Sequence, residues 1–301
     1  MELLVKIQLF LEQLGQTILA LIKVLLLSKF SKGKKFEIAG KEVVIIGNGP
    51  SLQKDIIKYR KFLSGKDLVC VNHFPITDLY TELKPRFYIT GAPEYWLENI
   101  EPDQIQSNTK MFNAMNEKTT WPLQFFIPFD AKKYKRWQGL VKSRKNITFH
   151  YYNNIGIEGF RKVIHFLFKN WLGMPRPHNV LITSIYICIN IGYKKIYLLG
   201  ADHSWLKELD VTEENIALLN QKHFYDENTA KPNVMRKSGR GQRKLHEILH
   251  KFMLTFKGYF ILRDYAEKRQ AQIFNGTKGS YIDAFERIDL NKYIETENNV
   301  I

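Results

Sequence analysis

A chain of 301 residues with 45% hydrophobic and 13% aromatic content can bury a sizeable core, which excludes a disordered polypeptide and allows one large domain with or without a flap. A formal charge of +15 calls for an anionic partner such as a membrane face, a nucleotide or an acidic glycan; with no zinc-finger spacing, RNP-like string or Arg-rich arm, nucleic acid is not expected. Cys70 and Cys188 both lie inside apolar runs and read as reduced core thiols of a cytoplasmic chain, not as a disulfide framework or a zinc site.

Residues 3–27 are strongly apolar, interrupted by Lys6, Glu12 and Lys23. No small-residue cleavage site follows, so a removable signal peptide is not expected, and the interior charges weaken the case for a membrane-spanning helix. On a helical projection Lys6, Glu12, Gln13, Gln16 and Lys23 fall within an arc of roughly 120°, opposite a broad Leu/Ile face. Lys29, Lys32, Lys34 and Lys35 come next. Residues 1–35 therefore read as an amphipathic helix and basic cluster on the inner, cytoplasmic face of a membrane; the rival is a helix docked on protein. A polar stretch over 33–42 joins it to a domain spanning 43–301.

Residues 43–52, V-V-I-I-G-N-G-P-S-L, organise that domain. Four β-branched residues predict a buried parallel strand. Gly47, Asn48 and Gly49 turn the chain, Pro50 suits the first turn of a helix, and Ser51 places a hydroxyl near its N-terminus. Strand, glycine turn and helix start make a seat for a phosphate; the alternative is a tight βα turn with no ligand. The G-N-G-P-S-L string resembles the opening motif of bacterial sialyltransferases of glycosyltransferase family 42. It also resembles a related group of flagellin-glycosylation and 6-hydroxymethylpterin diphosphokinase-like proteins.

A helix is expected over 53–63 and a second strand over 67–72, ending in Asn72 at the edge where parallel sheets bind ligands. Those sialyltransferases carry an Asn-x-Phe there, so the resemblance implies that Asn72 contacts the nucleotide; an Asn ending a strand also forms turns. Strands are predicted over 85–90, 110–115, 120–127 and 147–152. Thr90 and Gly91 stand where the family tends to carry another nucleotide-binding Asn. Most of the aromatic residues from Trp121 to Trp137 read as core, with a sugar-stacking face as the alternative. A helix is expected over 157–171.

Residues 179–192 predict a buried helix and 195–200 the strand after it. G-Y-K-K-I-Y-L-L-G-A-D, from Gly192 to Asp202, resembles the second block of family 42. The resemblance assigns donor binding to Asn179, with helix capping as its rival role. Asp202 reads as orienting a loop or the nucleotide ribose. With His203 it lacks the further ligands that a metal site needs.

Residues 205–243 are polar and irregular, with a short helix expected over 211–219, and read as part of a flap over about 203–243. The resemblance implies a general-base histidine in such a flap and tyrosines on the donor phosphate; His223 and Tyr225 are the candidates. Arg236, Lys237, Arg240, Arg243 and Lys244 form either a solvated basic face or a clamp on an anionic substrate. A helix over 241–257 carries H-E-I-L-H (His246 to His250), the zinc-protease string. Without a third ligand in a recognisable second motif, the pair reads as structural. A strand is expected over 259–262, and Asn275, Thr277 and Ser280 as site-lining residues, with capping as the alternative for Ser280.

Alternating strands and helices imply an α/β, Rossmann-like, doubly wound and mainly parallel sheet, a GT-A-like variant if the resemblance holds. It implies a glycosyltransferase that moves a sialic or related nonulosonic acid from a CMP-activated donor to a surface glycan or lipid-linked acceptor, with no metal and no further cofactor. The alternatives are an ATP- and magnesium-dependent diphosphokinase-like enzyme and a non-catalytic nucleotide-binding protein.

Overall fold

The computed structural model describes residues 2–30, 36–38, 40–141, 145–220, 223–225, 232–235 and 241–293. Lys32, Lys34, Lys35, Arg236, Lys237 and Arg240 of the expected basic segments lie outside the described residues. The chain runs α1 (Glu2–Leu27), β1 (Glu42–Ile46), α2 (Leu52–Leu63), β2 (Asp67–Val71), α3 (Asp78–Leu83), β3 (Phe87–Ile89), α4 (Pro102–Lys118), β4 (Leu123–Pro128), α5 (Arg136–Val141) and β5 (Ile147–Tyr152). It continues through α6 (Arg161–Lys169), α7 (Val180–Ile191), β6 (Lys195–Leu199), β7 (Leu209–Val211), β8 (Ala217–Leu219), β9 (Asn233–Val234), α8 (Leu245–Lys268), β10 (Gln272–Asn275) and β11 (Glu286–Arg287).

Eight strands form one sheet in the order β11-β10-β6-β1-β2-β3-β4-β5, and every pairing in it is parallel. Because successive strand residues point to opposite faces, Val43 and Ile45 join a core with α6, α7 and α8, while Val44 and Ile46 join a second core with α2, α4 and α5. This is the Rossmann-like α/β architecture expected, covered by helices on both faces. Ligands of such sheets bind outside the carboxyl ends of the strands where the order reverses; here that point lies between β1 and β6.

Three expected elements differ. Residues 110–115 belong to α4, where Met111, Phe112 and Met115 form one buried helical face. Tyr259–Leu262 is interior to α8, and its buried residues Tyr259, Leu262, Tyr265 and Ala266 follow the helical period, not the strand period. Residues 211–219 are not a helix: β7 and β8 pair antiparallel, with β9 as third strand. A short apolar run does not by itself distinguish a strand from one face of a helix.

Phe36, ahead of β1, is packed, its ring 5.5 Å from Phe126 and 4.9 Å from His150. Helix α1 is seated on the body through Thr17, Ala20 and Val24. The capping Gly192 of α7 takes φ 119°, a conformation suited to glycine.

Candidate functional site

The turn after β1 is laced to the turn after β6. Gly47 N–H donates to Leu199 O and Gly49 N–H to Gly200 O, each at 2.8 Å. A Cβ on Gly47 would stand 2.5 Å from Gly200 O; one on Gly49 would stand 2.6 Å from the same oxygen and inside the Asp202 carboxylate. These glycines therefore admit the neighbouring backbone and Asp202. The Ser51 hydroxyl lies 2.9 Å from Asp202 Oδ2 and 3.3 Å from Asp55 Oδ2, between two carboxylates at the start of α2. Burial pushes the Asp202 pKa up, and hydrogen bonds from Ser51 pull it partly back. Asp55 is raised as well, first by burial and then by the charge of Asp202, with the Ser51 hydrogen bond opposing. The positive end of α2 is thus already answered by the protein's own carboxylate.

Beside this wall a cleft of about 190 Å³ opens along the carboxyl ends of β1, β2 and β6 and the N-terminus of α7. Asn48, Gly49, Asn72, Asn179, Asp202 and His223 all line it. Asn48 donates from Nδ2 to Val71 O at 3.2 Å, and its Oδ1 is buried with no hydrogen-bond partner among the described residues. A buried acceptor of that kind is costly unless a ligand or water meets it. Asn72 holds a left-handed backbone at φ 51°. Asn179 caps α7, its Oδ1 accepting from Leu181 N at 2.6 Å, so the capping role and the place at the cleft coexist.

Residues 223–225 are pinned to the turn after β1. Phe224 N–H donates to Asn48 O at 3.1 Å, and the Phe224 ring packs 5.9 Å from Phe74. His223 and Tyr225 stack on one another, centroids 5.1 Å apart and planes 4° from parallel. The aromatic residue between them therefore anchors the segment and leaves His223 at the cleft.

Gly47, Ser51, Tyr225 and Ser280 are not among the residues lining this cleft. Gly47 lies behind it against Gly200. Ser51 faces a separate trough of about 830 Å³ bordered by Lys54, Lys58, Lys278 and Arg287. Ser280 corrects the site-lining expectation: it is buried, donates from Oγ to Ala201 O at 2.6 Å and accepts from Ile282 N. Thr277 Oγ1 accepts from Ala201 N at 3.0 Å, so the two side chains hold the turn that carries Asp202.

Asn220 and His203 are cleft residues to which the sequence motifs assign no binding role. Asn220 lines the cleft with an Oδ1 that has no partner among the described residues; no motif marks it. His203, next to the recognised G-A-D, is buried, with Nε2 2.6 Å from Tyr259 OH and its ring 4.1 Å from Trp205. Burial lowers its pKa to about 3, so the ring is neutral at physiological pH. In the H-E-I-L-H string, Glu247 accepts from Lys244 N at 2.9 Å and helps cap α8. Among the described residues no three His, Cys, Asp or Glu side chains are grouped to hold a metal.

No protein-family model and no curated protein matches the chain. Among solved structures it is similar to the Maf glycosyltransferase of Magnetospirillum magneticum AMB-1, with a TM-score of 0.50 and 11% identity. The match covers 91% of this chain and 38% of that one, so the chain spans well under half the length of its structural neighbour, with which it shares a fold.

Proposed function

We propose that the protein is a glycosyltransferase, sialyltransferase-like in its chemistry, that passes a sialic or related nonulosonic acid from a CMP-activated donor to a hydroxyl of a glycan or lipid-linked acceptor. The observation that carries this reading is the cleft itself: Asn48, Asn72 and Asn179 border the same cavity as His223, at the sheet edge where nucleotides bind. The fold shared with a protein named as a glycosyltransferase supports it.

In this reading Asn48 Oδ1, which has no partner among the described residues, receives the nucleotide with Asn72 and Asn179. The imidazole of His223 takes the proton of the acceptor hydroxyl as its oxygen bonds to the anomeric carbon. The bond from that carbon to the donor phosphate breaks, and CMP leaves with the electron pair. Tyr225, stacked on His223 without itself lining the cleft, and the basic residues Arg243 and Lys244 are the proposed partners of the charge growing on the phosphate, a role that calls for no metal cofactor. The site-facing part of the G-N-G-P-S turn is Asn48, Gly49 and Pro50, while Gly47 and Ser51 support it from behind.

The test is a thermal-shift panel with CMP, UDP, GDP and ATP, each with and without magnesium. Stabilisation by CMP alone is expected; stabilisation only by ATP with magnesium replaces this reading with the diphosphokinase-like one. His223→Ala is expected to lower transfer about 10²–10⁴-fold while CMP binding survives. Unchanged turnover in that variant removes His223 as the base.

A further inference from the structure

We infer that the apolar face of α1, with the outer stripe of α6, is a docking surface for an anionic lipid bilayer, and that α1 lies in the plane of that surface. The argument starts from which side of the helix meets the protein. A helix that completes a soluble core turns its leucines inward. Here Gln16, Thr17, Ala20, Lys23 and Val24 form the covered side, within the arc that holds most of the polar residues. Leu4, Ile7, Leu11, Ile18, Ile22 and Leu25 lie exposed on the opposite side.

Specific bonds set that rotation. Thr17 Oγ1 accepts from Phe160 N at 2.8 Å and donates to Gln13 O at 2.7 Å. Ser28 donates to Leu172 O, and the Asn153 side chain accepts from Lys29 N at 2.8 Å and donates to Lys29 O at 2.9 Å. Gly159, at φ 140°, lets the helix approach so closely that a Cβ there would stand 2.8 Å from the Thr17 Cα. The rotation that exposes the apolar face is thus held by side-chain-to-backbone hydrogen bonds and one glycine contact.

The occupant follows from the neighbouring surface. On α6, which packs beside α1, Lys162, Phe166 and Lys169 are exposed at i, i+4 and i+7. An aromatic ring between two lysines matches the boundary between acyl chains and anionic headgroups, and the +15 chain adds attraction to such a surface. Spanning is disfavoured by the docking. The stretch from Gln16 onward is held against the body through Thr17, Ala20 and Val24, so it is not free to be immersed in a hydrocarbon core.

The test uses the full chain and sedimentation with phosphatidylcholine vesicles, with and without 30% phosphatidylglycerol. Binding is expected to the anionic vesicles and to weaken with salt. The triple variant Leu11→Glu, Ile18→Glu, Leu25→Glu is expected to lose at least tenfold in vesicle partitioning. Lys162→Glu with Lys169→Glu is expected to lose three- to tenfold on anionic vesicles only. Because Cys70 and Cys188 are buried, an Ile18→Cys variant can be labelled selectively with a polarity-sensitive dye, a readout that survives if the triple variant does not fold. A blue shift on adding anionic vesicles is expected. No shift, equal binding by wild type and the triple variant, or a dimer that the triple variant turns into a monomer without vesicle binding would overturn the proposal. CMP binding is read in parallel, so failure here and failure of the proposed reaction are distinguishable.

Discussion

At the end of β6, His203 carries a left-handed backbone (φ 52°), a ring against Trp205 and one hydrogen bond to a fully buried tyrosine. Its folded-state pKa of about 3 lies below the ordinary histidine value of 6.5. Above pH 6.5 the ring is neutral in both states and its contribution to stability is fully present. Below that, the unfolded chain binds a proton that the folded ring refuses, so stability is lost as the pH falls towards 3. His203→Phe, which cannot titrate, is expected to flatten the acid limb by about 2 kcal/mol between pH 6.5 and pH 5. Chemical denaturation across that range checks it, and an unchanged slope would place the titration elsewhere. This residue also marks a limit of sequence reading. That a histidine follows G-A-D was visible, but its ring sits under Trp205 beside Tyr259, 56 positions away in the chain, a placement that spacing does not encode.

Among the elements, the turn after β1 and residues 223–225 are in direct contact. Phe224 fills space beside Phe74 and gives its N–H to Asn48 O, so a single aromatic residue fixes where His223 stands. Phe224→Ala removes the ring while leaving His223 in the chain. If His223 is the base proposed above, transfer is expected to fall about 10–100-fold through its misplacement, with a smaller loss in CMP affinity. Steady-state kinetics beside calorimetric binding separates the two, and loss of binding alone would make the flap a nucleotide clamp. Strands β1, β2 and β6 and helix α7 were legible because buried parallel strands and a buried helix leave uninterrupted apolar runs. The β7–β8 hairpin was not, since its strands are three residues each and β7 is mostly exposed. Asn48, Asn72 and Asn179 could be placed at one edge because each ends a strand or starts a helix there. Ser280 could not be separated from them, because its inward turn onto Ala201 depends on a side-chain direction.

On the scale of the whole molecule, two cores pack on opposite faces of one sheet, and α1 adds Ala20 and Val24 to the first. Residues 2–12 are exposed, with one ring contact from Phe10 to Phe160 at 5.5 Å, so their removal is expected to shift stability by only about 1 kcal/mol, the size of a typical single substitution, while reducing vesicle partitioning at least threefold. Thermal melts and sedimentation on the truncated chain check both; a large drop in melting temperature would mean that this half of the helix supports the fold. Asn48 carries a larger implication. Its main-chain carbonyl accepts from Phe224 N–H and its amide oxygen has no partner among the described residues, so the tether of residues 223–225 and a polar group facing the cleft meet in one residue. Any molecule that holds this amide more tightly when the tether is made must, by reciprocity, strengthen the tether by the same factor. Occupancy and tethering are then two readings of a single equilibrium.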